Sequence, residues 1–317
     1  MNILSLFSGY DGAALCLKNA GIKTNKHYSS EIDKYAIKIA NKHFPGIIQV
    51  GDVTKWHSWD IDWGSIDLVI GGSPCQGFSR SGQNGGTKAI LNGVEYIVSD
   101  RETYLDMKQK GADFVSQSHL FWEYILCLDL VKRCNPNVKF LLENVEMQKH
   151  NEDMITNAIG VKPVKINSAI CSPQARVRNY WCNWEIGQLE AKQIVLNDIL
   201  EDIEGDRPCA MRKNAKLSEG GLIHIANATD IKGMECIKRV YDLNGKCPTL
   251  TTMGGGHREP KLLMSNGMYR KATILELERI AGLPDNYTEG ISDTQRKKMI
   301  GNGWEIRTIT HILRSMI

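Results

Sequence analysis

Apolar residues in this chain fall into short runs that alternate with amphipathic stretches, and the runs close on glycine or acidic positions. Asn2 to Phe7 is a brief apolar run that ends in Ser8-Gly9-Tyr10-Asp11-Gly12, after which Ala14, Leu15, Leu17 and Ala20 recur at helical spacing as far as Gly21. That order predicts a strand, a tight turn and a helix. A second strand is expected around His27 to Ser29, stopping at Glu31, with a helix from Asp33 to about Asn41. Asp67 to Ile70 and Lys139 to Leu142 are β-prone runs that lead into Gly71-Gly72-Ser73-Pro74-Cys75 and Glu143-Asn144. Strands separated by helices predict an α/β fold with a doubly wound, mainly parallel sheet. Ligands of such sheets lie beyond the carboxyl ends of the strands. Gly9, Glu31, Asp52, Pro74-Cys75 and Glu143 are all expected at such ends, converging on one crevice.

After Trp184 the alternation weakens, and from Gly205 to Arg258 glycine, asparagine, lysine and threonine dominate. This predicts a smaller, loop-rich, β-leaning domain. Helical patterning returns over Thr273 to Gly282 and Glu305 to Ile317.

Composition narrows the class. The chain has 317 residues, 42% hydrophobic and 24% charged, which excludes disorder, collagen and coiled coil. No apolar run approaches the ~20 residues that span a bilayer, and the N-terminus has no basic region before its apolar residues. No membrane partner and a cytoplasmic location are expected. The nine cysteines form no C-x-x-C pair, so neither a zinc site nor a closed disulfide set is expected and the thiols read as reduced. The net charge is only +3, but residues 1–204 carry 21 basic and 24 acidic side chains, whereas 205–317 carry 18 and 12. The C-terminal third is the expected face for an anionic partner.

Three groups carry candidate chemistry. Gly9 and Gly12 form a G-x-x-G turn without the third glycine of the dinucleotide fingerprint, and Glu31 and Asp52 stand where carboxylates would meet a ribose diol and an adenine amino group. With no glycine-rich pyrophosphate cradle, a nucleoside cofactor without phosphates fits better than a dinucleotide. Cys75 follows Pro74 in a glycine-rich loop at a strand end, a rigid and accessible setting that suits a nucleophile. Glu143 ends the next core strand as a candidate proton donor, and Arg176 and Arg178, two apart on an extended segment, are expected to point to one face as anion or carbonyl binders.

Ser73-Pro74-Cys75-Gln76, Glu143-Asn144-Val145, Gln174-x-Arg176-x-Arg178, Arg239-Val240-Tyr241 with Pro248-Thr249-Leu250-Thr251-Thr252, and Gly301-Asn302-Gly303-Trp304 together resemble the ordered motifs of the C5-cytosine DNA methyltransferases, and most closely the small phage and bacterial members. The resemblance implies the S-adenosylmethionine-dependent methyltransferase fold, with a catalytic, cofactor-binding domain over 1–184 and 290–317 and a target-recognition domain and hinge over 185–289, S-adenosyl-L-methionine as cofactor and double-stranded DNA as partner. It implies catalytic roles for Cys75, Glu143, Arg176 and Arg178. Cofactor contacts are implied at Phe7, Ser8, Gly9, Tyr10, Asp11, Gly12, Glu31, Ile32, Asp52, Val53, Pro74, Asn302, Gly303 and Trp304, although Trp304 equally suits core packing. DNA contacts are implied at Ser79, Arg239, Thr249, Thr251, Gly254, Gly255 and Gly256, with Arg258 and Lys261 extending the basic face or simply solvated. The same motifs leave open a tRNA cytosine-C5 methyltransferase and a catalytically inactive paralogue. The reading favours a monomer without fixing it.

One stretch departs from the family's compact members. Residues 85–117, including Ile90 to Ile97, read as an insertion containing a hairpin, which would bear on DNA contact, cover the site, mediate self-association or merely decorate the surface. Deleting Thr87 to Lys110 is expected to alter DNA affinity more than cofactor affinity.

Overall fold

A computed structural model describes residues 1–78, 87–218 and 220–317 of the chain. Ser79, an expected DNA contact, lies outside the described residues, as does the start of the insertion at 85–86. The chain divides into two units, Met1–Ile166 with Val177–Ile186, and Asn167–Arg176 with Gly187–Ser315.

The first unit opens with β1 (Ile3–Leu6), α1 (Gly12–Ala20), β2 (His27–Ser30), α2 (Lys34–His43), β3 (Ile48–Gln49) and β4 (Leu68–Gly72). It continues with β5 (Lys88–Leu91), β6 (Val94–Ile97), α3 (Arg101–Gln109), β7 (Asp113–Phe114), α4 (Phe121–Cys134), β8 (Lys139–Val145), α5 (Lys149–Ile159), β9 (Val164–Asn167) and β10 (Val177–Cys182). Seven strands make one sheet in the order β3-β2-β1-β4-β8-β10-β9, parallel across β3-β2-β1-β4-β8 and antiparallel between β8 and β10. The chain order reverses at β1 and β4, and it is at such a switch point that a crevice opens beyond the strand ends. Helices cover both faces of a parallel sheet, so its central strands bury successive residues rather than alternate ones. Accordingly Ile3, Leu4, Leu6, Leu68, Val69, Ile70, Leu141 and Leu142 are fully buried.

Residues 85–117 hold the expected hairpin. β5 and β6 pair across Asn92 and Gly93, both at positive φ, which is the backbone a two-residue turn needs to match the strand twist. β7 adds to β5, giving a small sheet ordered β6-β5-β7. The segment is no surface decoration, however. Ala89, Val98, Tyr104 and Met107 are buried in the same core cluster as Leu4, Val69, Phe140 and Trp181. The Glu123 carboxylate, fully buried in α4, accepts hydrogen bonds from Tyr104 Oη at 2.5 Å, Lys108 Nζ at 2.5 Å and Trp56 Nε1 at 2.9 Å, fastening α3 to the body of the unit. Removing Thr87 to Lys110 would therefore open the core, and the expectation of a selective effect on DNA affinity is corrected to one of unfolding.

The second unit holds β11 (Cys209–Leu217), β12 (Ile223–Ala228), β13 (Arg239–Tyr241), β14 (Lys261–Leu263) and β15 (Tyr269–Lys271), followed by α6 (Ile274–Ala281), α7 (Asp293–Asn302) and α8 (Ile306–Arg314). The five strands form one sheet in sequence order. The helices at 290–315, expected to rejoin the catalytic domain, group with this unit instead. Their anchors explain why. Arg296 of α7 donates to Thr288 Oγ1 at 2.9 Å and to the buried Glu278 at 3.1 Å on α6. A Cβ at Gly301 would lie 1.7 Å from the Thr251 carbonyl oxygen, so backbone touches backbone there. Among the described residues no helix is long and apolar enough to cross a membrane.

Candidate functional site

The register between β4 and β8 assembles the first group. Gly72 pairs with Glu143, so the chain leaving β4 through Ser73-Pro74-Cys75 departs beside that carboxylate. β8 extends to Val145, which places Glu143 within the strand rather than beyond its end. On the other side of β8 the antiparallel register sets Tyr180 opposite Glu143, and Arg178 occupies the diagonal position. Arg178 Nε meets Glu143 Oε1 at 2.9 Å, with only 12% and 11% of the two side chains exposed. Asn144, buried on the same strand, donates from Nδ2 to the Ser73 carbonyl at 3.2 Å and to Ser73 Oγ at 3.0 Å. Cys75 is half-buried and is not in a disulfide, while burial pushes the thiols of Cys127, Cys171 and Cys182 up.

Arg176 immediately precedes β10. It is buried in the second unit, where Nη2 donates to the Gly303 carbonyl at 2.9 Å and Nη1 to the Leu250 carbonyl at 3.4 Å. The expectation that both guanidiniums serve one face rested on the two-residue period of a strand, but β10 starts only at Val177. Arg176 thus ties the Pro248–Thr252 segment to the Gly301–Trp304 segment.

The turn between β1 and α1 is held from β2. Phe7, Gly9 and Asp11 all adopt positive φ. Gly9 N–H donates to Glu31 Oε2 at 2.8 Å, and Glu31 Oε1 accepts from Ile32 N at 2.7 Å and Asp33 N at 2.8 Å. Ser8 Oγ lies 2.7 Å from Ser29 Oγ. Asp11 and Tyr10, both expected at the cofactor, are buried. Asp11 caps α1 through Ala14 N at 3.0 Å and faces His27 Nε2 at 3.1 Å, so its carboxylate serves the fold. Ile32 follows Glu31 with 70% of its surface exposed, and Asp52 Oδ1 caps the short helical turn that begins at Val53, through Thr54 N and Oγ1, both at 2.9 Å.

In the second unit Thr249, Thr251 and Gly254 to Gly256 are exposed, and Thr249 Oγ1 donates to the Ala175 carbonyl at 2.7 Å. Arg239 is partly exposed and lies 4.0 Å from Glu235. Asn302 is exposed, and Gly303 and Trp304 are half-buried. Lys261 is not a surface contact. It is 3% exposed and its Nζ donates to the His257 carbonyl at 2.6 Å and the Glu259 carbonyl at 3.1 Å, pinning the foot of the glycine loop. Burial, with Lys271 nearby, pulls its ammonium down to about 8. Burial pushes the Glu259 carboxyl up, but its backbone hydrogen bond and the Lys271 and Lys297 ammoniums outweigh that and hold it at about 2. Sequence reasoning missed the edge strand β11, whose Arg212, Lys213 and Lys216 present a basic row. The signal available was a local cluster of cations on a strand with few apolar positions.

Comparison with known proteins places this geometry. The C-5 cytosine-specific DNA methylase family matches residues 1–98 and 184–317. The chain belongs to that family. Its relatives include the orphan methyltransferase M.SPBetaI of Bacillus phage SPbeta, 26% identical over 83% of this chain and 73% of that one, and the type II methyltransferase M.HhaI of Haemophilus parahaemolyticus, 24% identical over 98% and 93%. In fold it is similar to the methyltransferase EhMeth of Entamoeba histolytica, with a TM-score of 0.63 at 17% identity over 100% of this chain and 97% of that one. The family's activity is transfer of a methyl group from S-adenosylmethionine to C5 of cytosine in DNA through a covalent intermediate. The match leaves out 99–183, the segment that holds Glu143, Arg176 and Arg178.

Proposed function

We propose that the chain is an active DNA (cytosine-5-)-methyltransferase on double-stranded DNA, with Cys75 as nucleophile and the Glu143–Arg178 pair at the polar edge of the base. The observation that carries this reading is the β4–β8 register, which starts the Cys75 loop beside a nearly buried carboxylate already paired with a guanidinium.

Cytosine C5 is a poor nucleophile until C6 has been attacked. The Cys75 thiolate forms a bond to C6 with its own electron pair, and the C5–C6 π electrons move into the ring. Glu143, protonated from solvent before this step, gives its proton to N3 as that charge builds and takes it back when the base is released, and its other oxygen accepts from the 4-amino group. Arg178 donates to O2 while it holds Glu143 in place. S-adenosylmethionine, when bound, supplies an electrophilic methyl group. Loss of the C5 proton to solvent and departure of the Cys75 sulfur then restore aromaticity and free enzyme. A stacked base cannot reach Cys75, so the target flips out at a cost of a few kcal/mol. The residues fit the cofactor's chemistry: Glu31 and Asp52 are partly exposed acceptors after β2 and β3, and exposed Ile32 offers an adenine ring an apolar face. Asn302, Gly303 and Trp304 are assigned to the same ligand on the family resemblance, and Arg239, Thr249, Thr251 and the 254–256 glycines to DNA on the same ground. Arg176, which also holds the Leu250 and Gly303 carbonyls, is assigned beside Arg178 on the family resemblance.

Duplex DNA containing 5-fluorocytosine tests the reading, because the adduct cannot lose its C5 substituent. Wild-type protein with cofactor is expected to form a covalent adduct and Cys75→Ser none, while Glu143→Gln slows methyl transfer by about 10²- to 10⁴-fold. A wild-type protein that methylates tRNA but not duplex DNA, or never forms the adduct, overturns it.

A further inference from the structure

The loop that carries Cys75 is fixed at a point the family motifs do not contain. Phe78 N–H donates to the Cys75 carbonyl at 3.0 Å, closing a four-residue turn in which Gln76 is exposed and the Phe78 ring is buried in the core. Asn144 holds the residue at its entry, Ser73. Inside the turn, Gly77 N–H donates to Ser118 Oγ at 2.8 Å, and Ser118 is fully buried. Ser118 reaches that position through the inserted segment. β7 pairs with β5 through Phe114 and Ala89, and the chain then enters the short helical turn Gln117–Leu120, where Ser116 caps the Ser118 amide.

Resting on the methyltransferase reading above, we infer that Ser118 is a positioning residue for Cys75. The Gly77 amide sits where Ser118 is its hydrogen-bond acceptor and water has little access, so losing that acceptor leaves a buried donor unsatisfied and releases the turn. The thiolate must approach C6 along a narrow line at bonding distance, and displacing a reacting group by about 1 Å costs on the order of a hundredfold in rate. In this chain the insertion thereby enters the chemistry from the protein side: it delivers the hydroxyl that holds the nucleophile's loop.

The test compares full-length wild type with Ser118→Ala, which deletes the acceptor, and Ser118→Cys, which keeps nearly the same volume with a weak one. Hydrogen exchange of the peptide spanning residues 73–78 reads the bond directly, and steady-state methyl transfer to duplex DNA reads its consequence. In both variants the Gly77 amide is expected to exchange at least about tenfold faster and kcat to fall roughly ten- to a hundredfold, with the KM for S-adenosylmethionine unchanged and the Tm lowered by only a few degrees. Unchanged exchange overturns the inference, as does faster exchange with wild-type kcat, or a loss of kcat, KM and Tm together that marks a merely structural role. Should wild-type protein transfer no methyl groups, the enzyme reading fails, and the exchange comparison still decides whether Ser118 holds Gly77.

Discussion

Strand β8 of the larger sheet buries Phe140, Leu141 and Leu142 in succession, while β11 of the smaller sheet exposes Met211 and Leu217 and carries Arg212, Lys213 and Lys216 along its length. The larger sheet is covered on both faces and its cluster draws in helices, turns and the inserted hairpin. The cluster of the smaller sheet is built on Ala226, Ala228, Ile231, Val240 and Tyr269, and the helices that follow add buried ion pairs to their own buried apolar residues, Leu277, Ile280, Ile309, Ile312 and Leu313. Arg270 and Glu276 are 5% and 0% exposed at 2.7 Å, and the Glu278 side chain, 0% exposed, lies 3.1 Å from Arg296. Buried apolar side chains pack both units, and in the second, whose loops and cationic strand are exposed, directional ion pairs are buried among them. Apolar packing tolerates small changes of shape. A buried ion pair does not tolerate loss of one partner.

Three measurements press on that contrast. The largest effect is expected for Glu276→Ala, which leaves Arg270 buried without its carboxylate and should cost about 3–5 kcal/mol in urea unfolding. A loss below about 1 kcal/mol would mean that the second unit does not depend on its ion pairs. Next comes acid. The Glu259 carboxyl lies at about 2 in the folded chain against 4.5 for the unperturbed group, so the unfolded chain binds the proton first as pH falls. Its contribution is complete above about pH 4.5 and is lost between there and about pH 2, a change on the order of 3 kcal/mol. Glu259→Gln should flatten that part of the stability–pH curve, and an unaltered slope would show that Lys271 and Lys297 do not hold the carboxylate. The smallest effect is expected for Ile155→Val, which removes one buried methyl group from α5 and should cost about 0.5–1.5 kcal/mol. Because no charge changes, that cost should be the same at pH 4 and pH 7.

The larger sheet was legible because its signals are local. The β1 run, its glycine turn and the α1 period were all found in place, as were the hairpin at Asn92-Gly93 and the helix patterning that became α6 and α8. α7 escaped notice since Asp293 to Asn302 carries apolar residues only at Met299 and Ile300, so no stripe emerges from the sequence. For the candidate site, the sequence nominated Cys75, Glu143 and Arg178, of which the last two meet in the structure, yet it could not show that the Asp11 carboxylate caps a helix. The same limit applied to Lys261 and Arg176, whose partners are carbonyls distant in sequence or hidden in a loop. Ser118 lay beyond reach for a related reason: its bond to Gly77 spans 41 residues.

The backbone contact at Gly301 constrains how this protein can be recombined. With the Thr251 carbonyl 1.7 Å from where any β-carbon would sit, the two segments form a matched set across fifty positions of sequence. Anyone exchanging segments of the second unit with a relative would have to keep glycine at 301 whichever parent supplies 249–252, or accept a chimera whose two segments collide.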